Sequence, residues 1–378
     1  MPFLPEELTR YSRQFLMPEF GMAAQEKLRA SAVLCIGAGG LGSPAISYLA
    51  AAGVGRIEII DADTVELSNL QRQLLFRTED VGRSKAEAAR LRVREINPHV
   101  SVEVHVARFS AANALRLAAR CDVILDGSDN FATRYLSSDV AVWLQKPNVY
   151  GSVMKFEGQA TVFAPHLGGP CYRCFVPTPP PPGAVPGCAE AGVLGVLPGM
   201  VGLIQATEVV KLLTGIGEPL IGRLLHLDAR SMQFREFKLR HDPQCRVCGQ
   251  APDITAPIDY DAFCGTADAC AWRGKPQPGE MTVRELAVLL KNPPDDFLLL
   301  DVREAWERKL SSIEPSRHVP LGELEARLGE VARDKDIAVH CKSGVRSAKA
   351  AALLRQKGYP RVRSVAGGME AWTAECGR

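Results

Sequence analysis

The chain has 378 residues, 46% of them hydrophobic, and a formal net charge of +2. This length suits two domains or one large one, and the apolar fraction is enough to bury a full core. The small net charge gives no reason to expect a nucleic acid or an acidic membrane as a partner, and no apolar run approaches the ~20 residues of a transmembrane helix.

The cell compartment follows from the N-terminal residues and the cysteine content. Residues 1–21 carry Glu6, Glu7 and Glu19 and contain no apolar signal core, so we expect a cytoplasmic protein. Eleven cysteines are many for a reducing compartment, and they favour metal-binding and catalytic roles over structural disulfides.

The first thirty residues are predicted to be helical and polar. Residues 3–30 include Arg10 and Arg13, which from residue type alone are interpreted as solvated helix surface.

A glycine-rich turn after an apolar run is the first signal of chemistry. Residues 32–36 suit a buried parallel strand, a helix is predicted over 43–52, and glycines fill the turn between them. Glycines let the backbone approach a phosphate, and the helix N-terminus offers free N–H groups to an anion. A second strand over 56–60 ends in Asp61, where a Rossmann-type unit binds a ribose hydroxyl. Taken alone, this pattern also fits an NAD dehydrogenase or a glycine-rich turn without a ligand.

Charged side chains suited to a nucleotide follow the second strand. Arg72 offers a planar fork to a phosphate, and Lys85, within a helix predicted over 84–96, offers a compact positive charge.

An acidic residue follows another buried strand. After a strand over 100–106, residues 122–126 are predicted to form a buried strand, and Asp129 stands just beyond its end, where parallel sheets bind ligands. Asp129 is suited to holding Mg²⁺, an ion that prefers hard oxygen ligands. The alternative is that Asp129 caps the next helix.

The polar residues together favour nucleotide activation over hydride transfer. Positive groups such as Arg72 and Lys85 spread the charge of a triphosphate, and a metal at Asp129 orients it, while the lysine signature of P-loop enzymes is absent. The chain resembles the ATP-dependent adenylyltransferases that activate ubiquitin-like proteins, above all those of molybdopterin-synthase and thiamine sulfur carriers. The resemblance covers residues 10 to about 250 and rests on Arg10–Gln14, Gly37–Gly42, Asp61–Asp63, Ser68–Gln73, Lys85 and Asp126–Asn130.

This resemblance implies an ATP site, its metal and an oligomer. It implies a homodimer in which Arg13 reaches the ATP bound by the other subunit, with Arg72, Lys85 and Asp129 acting in catalysis. The residues it implies in binding ATP and Mg²⁺ are Gly37, Gly39, Gly40, Gly42, Asp61, Asp63, Ser68, Asn69, Leu70, Gln71, Arg72, Lys85, Asp129 and Asn130.

Two Cys-x-x-Cys pairs predict a metal site. The pairs are Cys171 with Cys174 and Cys245 with Cys248, and four thiolates in such pairs form a closed tetrahedral site typical of structural Zn²⁺. The pairs are farther apart in the chain than in a compact zinc ribbon, so the site would join distant segments. A redox dithiol is the alternative.

A proline-rich segment between these pairs ends in another cysteine. Residues 177–188 cannot enter a helix or sheet and are predicted to be exposed. Cys188 ends this loop just before a helix start, which favours a nucleophilic thiol, although an unreactive loop thiol is the alternative. The family resemblance implies a cysteine on a loop over the tail of the carrier protein, so Cys188 is assigned as a second thiol. A core helix is then predicted over 200–213, ended by Gly215.

A linker and a second unit follow. The predicted division is 1–250 for the adenylyltransferase domain, 251–280 for the linker, which contains the unassigned Cys264 and Cys270, and 281–378 for the second domain. The second domain opens with a helix-capping pattern that starts at Thr282.

The second unit places a cysteine directly after a strand. Strands are predicted over 297–301 and 336–340, and Cys341 opens a short loop before a helix that runs on to Gly358. Successive N–H groups, the helix dipole and Arg346 would favour a thiolate or a bound anion. A buried inert cysteine and a phosphatase are the alternatives, but only four residues separate Cys341 from Arg346, and such a tight loop suits a single terminal sulfur.

This unit resembles a rhodanese domain over roughly 281–378. The matching segments are Leu300–Glu304, the Cys341 loop and Gly367–Trp372, while the usual Gly-His-Ile-Pro-Gly-Ala segment is reduced to Arg317–Leu321. The whole chain is therefore predicted to be α/β: a Rossmann-like, doubly wound adenylating domain with a structural zinc site, and a smaller α/β rhodanese domain.

The two resemblances together predict one joined reaction. We hypothesise that a ubiquitin-like sulfur-carrier protein presents its C-terminal Gly-Gly carboxylate to ATP-Mg and is adenylated. Cys341, loaded as a persulfide by a cysteine desulfurase or thiosulfate, then transfers sulfur to it, with Cys188 as the resolving thiol. The alternatives are an activating enzyme that passes the carrier to protein conjugation through a Cys188 thioester, and a non-enzymatic scaffold. The pathway stays open between molybdopterin, thiamine, cysteine, thiolated tRNA and a secondary metabolite.

Overall fold

The computed structural model describes residues 2–181, 191–265 and 279–377. The chain divides into two compact units, Met1–Thr266 and Ala267–Arg378, and each is described by itself.

The first unit is built on an eight-stranded sheet. Its strand order is β3-β2-β1-β4-β5-β6-β7-β8; the pairs from β3 to β5 are parallel and those from β5 to β8 antiparallel. The strands are β1 Ala32–Ile36, β2 Arg56–Ile60, β3 Ser101–His105, β4 Val123–Asp126, β5 Asn148–Met154, β6 Glu157–Phe163, β7 Arg223–Asp228 and β8 Gln233–Lys238.

Ten α-helices accompany this sheet among the described residues. They are α1 Pro5–Arg10, α2 Ser12–Phe15, α3 Gly21–Ala30, α4 Gly42–Ala52, α5 Lys85–Ile96, α6 Ala114–Ala118, α7 Phe131–Trp143, α8 Tyr172–Phe175, α9 Val196–Thr214 and α10 Tyr260–Phe263. Every residue of β1 is buried, because a central parallel strand has elements packed on both faces of its sheet.

The second unit is a parallel sheet of five strands in the order β11-β10-β12-β13-β9. Its strands are β9 Glu280–Met281, β10 Phe297–Asp301, β11 Arg317–His318, β12 Asp336–His340 and β13 Val362–Val365. Its helices are α11 Val283–Lys291, α12 Ala305–Leu310, α13 Leu321–Leu324, α14 Val345–Gln356 and α15 Gly368–Cys376. The shortened segment 317–321 still supplies the edge strand β11, so the departure from the rhodanese pattern leaves the sheet intact.

The predicted strands agree closely with the observed ones, whereas several helix boundaries differ. The predicted capping box is present, since Thr282 and Glu285 hold each other's backbone amides. Residues 3–30 form three short helices instead of one continuous stretch, and Pro18, which has no N–H to donate, lies between the second and third. The core helix begins at Val196 and not near residue 200, because Pro198 falls in its first turn, where proline is tolerated.

Helix α9 is long and apolar enough to cross a membrane by length and composition, the one such helix in the described ranges. Gln205, Glu208 and Lys211 interrupt its apolar residues, so it contains no unbroken apolar run of about 20 residues. Its burial explains its composition: Leu197, Val201 and Val209 are buried in the main core cluster of the first unit, and the helix packs against α4, β5 and β6.

Part of the predicted linker packs onto the first unit. Within 251–265, Ile254, Tyr260 and Cys264 are each 5% exposed. The Trp143 indole donates to the Ile254 carbonyl at 3.3 Å. Burial raises the pKa of Cys264 to about 11, which favours the protonated thiol at neutral pH. Cys270 lies outside the described residues.

A buried ion pair anchors this segment. The Arg173 guanidinium donates to both carboxylate oxygens of Asp139, from Nε at 2.9 Å and from Nη2 at 2.8 Å, and the Tyr260 hydroxyl donates to Asp139 at 2.8 Å. The Arg173 and Asp139 side chains are 2% and 0% exposed. The chain offers a matched surface pair, because Arg246 binds Asp253 in the same two-pronged geometry with side chains 58% and 57% exposed.

We therefore expect Asp139→Ala to destabilise the first unit by about 3–5 kcal/mol, because it leaves the Arg173 charge buried and unpaired. Asp253→Ala, the control, should leave the stability unchanged, because water replaces the exposed partner. Urea denaturation followed by circular dichroism measures both variants. Equal effects of the two substitutions would show that burial does not set the contribution of the Asp139 pair.

Candidate functional site

A cavity of about 1050 Å³ opens at the carboxyl ends of the parallel strands in the first unit. We call it the edge cavity. Of the residues predicted for ATP and Mg²⁺, its lining includes Gly37, Gly39, Gly40, Asp61, Asp63, Asn69, Arg72, Lys85, Asp129 and Asn130. The order of the parallel strands brings these residues together from segments far apart in the chain.

The glycine-rich turn forms one side of the edge cavity. Gly37 has φ +86°, in the left-handed region that favours glycine. A Cβ on Gly42 would lie 2.0 Å from the Gly37 carbonyl oxygen, so a larger residue is excluded there. The turn therefore leads directly into α4, whose first N–H groups lie at the carboxyl edge of the sheet.

Asp61 is fixed by the backbone around it. Its carboxylate accepts hydrogen bonds from the Ala38 and Asp63 amides, both at 2.8 Å. Burial raises the pKa of Asp61 above its usual value, against the opposing effect of these bonds and of Lys85. The carboxylate is thus held in place at the end of β2, where it can accept further hydrogen bonds.

The two predicted cations of the edge cavity, Arg72 and Lys85, are held differently. The Lys85 ammonium lies 2.9 Å from a carboxylate oxygen of Asp63; the lysine side chain is 8% exposed and the aspartate 71%. The Arg72 guanidinium donates from Nη1 to the Ser68 carbonyl at 3.1 Å, which leaves its other nitrogens able to bind an anion.

Asp129 and Asn130 are exposed at the mouth of the cavity. The alternative that Asp129 caps α7 is wrong, because the Asn130 side chain is the cap and accepts from the Thr133 amide at 2.9 Å. Within the described part of the chain Asp129 makes no hydrogen bond, which leaves its carboxylate oxygens, the hard ligands that Mg²⁺ prefers, accessible to a metal ion.

Five of the predicted residues lie outside the cavity lining. These are Arg13, Gly42, Ser68, Leu70 and Gln71. Arg13 is exposed on α2, and within the described residues it makes no hydrogen bond or ion pair. Leu70 packs against the main core cluster, and Gln71 faces Gly195 at the start of α9.

Sequence reasoning missed Arg134, which also lines the edge cavity. Its guanidinium donates from Nη2 to the Ser128 carbonyl at 3.3 Å and to the Ser152 hydroxyl at 3.2 Å. Its buried Nε has no acceptor among the described residues. The available signal was spacing, since Arg134 lies one helical turn after Asn130 and so faces the same side.

The four predicted metal-site cysteines form one cluster. All four sulfur atoms lie within 4.8 Å of one another. Cys171 Sγ lies 3.4 Å from Cys245 and 3.3 Å from Cys248, and Cys174 Sγ lies 3.4 Å from Cys248. A tetrahedron with Zn–S bonds near 2.3 Å has edges of about 3.8 Å, so the cluster fits zinc after a slight expansion. The Asp242 amide also donates to Cys174 Sγ at 3.4 Å, a bond that favours the thiolate form of this cysteine.

The predicted loop of the second unit, residues 341–346, surrounds a buried sulfur. Cys341 is 0% exposed and its Sγ accepts from the Gly344 amide at 3.1 Å. Gly344 has φ +99°, and Gly368 approaches so closely that a Cβ there would lie 2.3 Å from the Cys341 carbonyl oxygen. The Met369 amide donates to that same carbonyl at 2.8 Å. We call residues 341–346 the Cys341 loop.

Arg346 has a carboxylate partner that the sequence did not reveal. Its Nη1 and Nη2 donate to the two carboxylate oxygens of Glu307, both at 2.6 Å. Although burial opposes it, the hydrogen bonds from Arg346 and from the Glu304 amide hold the pKa of Glu307 below its ordinary value. Cys188 lies outside the described residues.

Two family models match the chain, one in each of its two units. The ThiF family matches residues 11–247, and the rhodanese-like domain matches residues 282–375. The chain belongs to the ThiF family. It carries a rhodanese-like domain after the ThiF region, so the predicted family, α/β fold class and enzyme class are confirmed.

Several full-length relatives share both parts. The chain is 44% identical over 376 residues to the probable adenylyltransferase/sulfurtransferase MoeZ of Mycobacterium tuberculosis, covering 98% of this chain and 94% of MoeZ. It is 42% identical to the adenylyltransferase and sulfurtransferase MOCS3-2 of Zea mays, covering 98% and 80%. The sulfur carrier protein adenylyltransferase of Thermus thermophilus is 51% identical over 269 residues, covering 70% of this chain and 99% of that protein.

Solved structures support the fold of the ThiF region. A crystal structure of E. coli MccB with MccA-N7isoASN aligns with a TM-score of 0.58 at 23% identity, covering 64% of this chain and 75% of MccB.

Beneath the Cys341 loop, His340 is buried without a hydrogen-bond partner for either ring nitrogen among the described residues. Asp301 Oδ2 lies 3.7 Å from Nε2, too far for a hydrogen bond. Burial lowers the pKa of His340 from 6.5 to about 4. The ring is therefore neutral at pH 7, and protonation in the folded state is disfavoured.

A pH dependence of stability follows. Between pH 4 and 6.5 the unfolded chain binds this proton and the folded chain does not, so stability is complete above pH 6.5 and falls as pH decreases. From pH 7 to pH 5 we expect a loss of about 2 kcal/mol from His340. Pulse proteolysis in urea, with detection of fragments from the second unit, measures this stability. His340→Gln should lose less stability between pH 7 and pH 5 than the wild-type protein. The control His318→Gln, at a half-buried site in the same unit, should lose as much stability between pH 7 and pH 5 as the wild-type protein. If His340→Gln also lost as much stability as the wild-type protein, His340 would not be the source of the pH dependence.

Proposed function

We propose that this protein adenylates the C-terminal Gly-Gly carboxylate of a ubiquitin-like sulfur-carrier protein with ATP-Mg and then transfers sulfur from a Cys341 persulfide to it. The single observation that carries the proposal is that one chain contains both a glycine-lined cavity with Arg72 and Lys85 in its lining and a cysteine loop at the end of a strand. The first suits a nucleotide and the second suits a transferable sulfur.

In the adenylation step the edge cavity supplies positioning and charge. The turn at Gly37 and the N-terminus of α4 accept the phosphates, Asp61 accepts a ribose hydroxyl, and Arg72 and Lys85 offset charge on the triphosphate. A carboxylate oxygen of the carrier attacks the α-phosphorus and pyrophosphate leaves. Mg²⁺, when bound, neutralises phosphate charge, and Asp129 is the residue that would hold it.

In the sulfur step the acyl adenylate meets the persulfide. The terminal sulfur on Cys341 attacks the acyl carbon and AMP leaves, which gives an acyl disulfide. A second thiol, assigned to Cys188 from sequence, attacks Cys341 Sγ; the S–S bond breaks and the carrier leaves as a thiocarboxylate. The resulting disulfide returns to two thiols through a cellular thiol reductant.

The remaining finer assignments belong to this proposal as well. The four-cysteine cluster would hold a structural Zn²⁺, and the Asp242 amide supports thiolates there. A homodimer would bring the exposed Arg13 of one subunit to the ATP of the other. The protein would act in the cytoplasm, with a cysteine desulfurase or thiosulfate as sulfur donor, in a molybdopterin, thiamine, cysteine, tRNA-thiolation or secondary-metabolite pathway.

The alternative of protein conjugation through a Cys188 thioester is not favoured. The relatives that match nearly the full chain are named sulfurtransferases, and the C-terminal unit retains Cys341, the Gly344 amide and Arg346. The same features speak against a non-enzymatic scaffold.

Replacing Cys341 separates the two half-reactions. With purified carrier, ATP and thiosulfate, Cys341→Ala should retain carrier-dependent pyrophosphate exchange but form no thiocarboxylate, because only the sulfur nucleophile is removed. Pyrophosphate exchange and mass spectrometry of the carrier measure the two products. Cys376→Ala, at a half-buried thiol in the same unit, is the matched control and should form thiocarboxylate at the wild-type rate. A normal thiocarboxylate yield from Cys341→Ala would refute the sulfur route.

The cysteine cluster makes its own prediction. Wild-type protein should contain about one tightly bound zinc per chain, and Cys245→Ser should lose it together with thermal stability. Metal analysis by plasma mass spectrometry after dialysis against a weak chelator measures this. The control Cys264→Ser removes a buried thiol outside the cluster and should keep its zinc. A redox dithiol would instead give metal-free wild-type protein with a reducible disulfide.

A further inference from the structure

The Arg346 guanidinium is already occupied in the second unit. It binds the Glu307 carboxylate through two parallel hydrogen bonds of 2.6 Å. This fork geometry is the one by which arginine recognises small oxyanions. Glu307 therefore covers the part of Arg346 that an incoming sulfur oxyanion would use, and it cancels the charge that would attract one.

Glu307 is itself held firmly in this position. Its Oε2 accepts from the Glu304 amide at 2.9 Å, which closes the N-terminal turn of α12. Its side chain is 9% exposed, against 24% for Arg346. A carboxylate that is buried, bound to a backbone amide and bound to a guanidinium does not swing away easily, so an anion must compete with it.

The other cation of the Cys341 loop is held much more loosely. Lys342 lies 3.7 Å from Glu370, and both side chains are more than half exposed, at 53% and 60%. That separation exceeds hydrogen-bond distance, and water screens the pair. Arg346 therefore sets the selectivity of the loop for anions. The exposed Lys342–Glu370 pair serves as a matched comparison for the buried Arg346–Glu307 pair.

We propose that Glu307 is a specificity-determining residue of the sulfur-transfer reaction, which weakens the binding of small dianionic donors such as thiosulfate by competing with them for Arg346. The inference rests on the proposed function of Cys341 and adds the selectivity of its loop. A donor that presents a single persulfide sulfur on a protein needs no oxyanion site and is unaffected by this competition.

The test is sulfur transfer from thiosulfate to cyanide by the full chain, which needs neither ATP nor carrier. The Cys341 thiolate attacks the sulfane sulfur of thiosulfate, the S–S bond of thiosulfate breaks, and sulfite leaves with the electron pair. Cyanide then takes the terminal sulfur as thiocyanate and restores the thiolate. Cys341→Ala defines the background of this assay.

Glu307→Gln keeps an oxygen acceptor for the Glu304 amide but loses the charge. We expect its KM for thiosulfate to fall about tenfold or more, because a charge-assisted bond no longer competes for Arg346. Sulfate, which carries no transferable sulfur, should inhibit this variant at correspondingly lower concentrations. The control Glu370→Gln removes one negative charge beside the same loop without touching Arg346, and it should change KM little.

A second variant shows whether the effect passes through Arg346. In Glu307→Gln combined with Arg346→Gln, the gain in thiosulfate affinity should disappear, whereas a structural loosening of α12 would persist. An unchanged or increased KM in Glu307→Gln, or no thiosulfate turnover by it at all, would overturn the proposal, since Glu307 would then be neutral or would orient Arg346 for the anion. Pyrophosphate exchange by the same variants reports adenylation separately, so failure here is distinguishable from failure of the proposed function.

Discussion

Both candidate centres depend on one constraint: a buried parallel strand must end, and its chain must turn sharply into a helix. In the first unit β1 ends at Ile36, and Gly37 at φ +86° turns the chain towards α4. In the second, β12 ends at His340, and Gly344 at φ +99° precedes α14. Each turn brings the start of a helix to the end of a strand. The first N–H groups of a helix have no carbonyl partner within the helix, and such donors are what a phosphate or a thiolate needs.

This strand, turn and helix arrangement could be predicted from the sequence, because it depends only on residues that are close together in the chain. An apolar run followed by glycine and then by helical periodicity specifies strand, turn and helix within about fifteen residues. The strands β1, β2, β10 and β12 have the bounds predicted from the sequence. The positions of Asp61 and Asp129 followed from the same rule, since residues just beyond parallel strands gather at one edge.

What the sequence could not reveal is pairing between distant segments. Glu307 and Arg346 are 39 positions apart, and Asp139 and Arg173 are 34 apart; neither separation has a periodicity that marks a contact. The packing of residues 251–265 was missed for a related reason. Single apolar anchors such as Ile254 and Tyr260, set among prolines and aspartates, give no repeating pattern, although each is buried.

The two centres differ in how firmly a carboxylate holds the cation. Asp63, the partner of Lys85, is 71% exposed, so water screens the pair and the aspartate can leave when a polyphosphate brings more negative charge. Glu307, the partner of Arg346, is 9% exposed and bound to a backbone amide as well. Displacing it would leave a carboxylate in a poorly hydrated position, which is costly unless a new partner replaces the guanidinium. The same ion-pair chemistry therefore gives an open anion site in the first unit and a guarded one in the second, because burial and not charge type sets the cost of exchange.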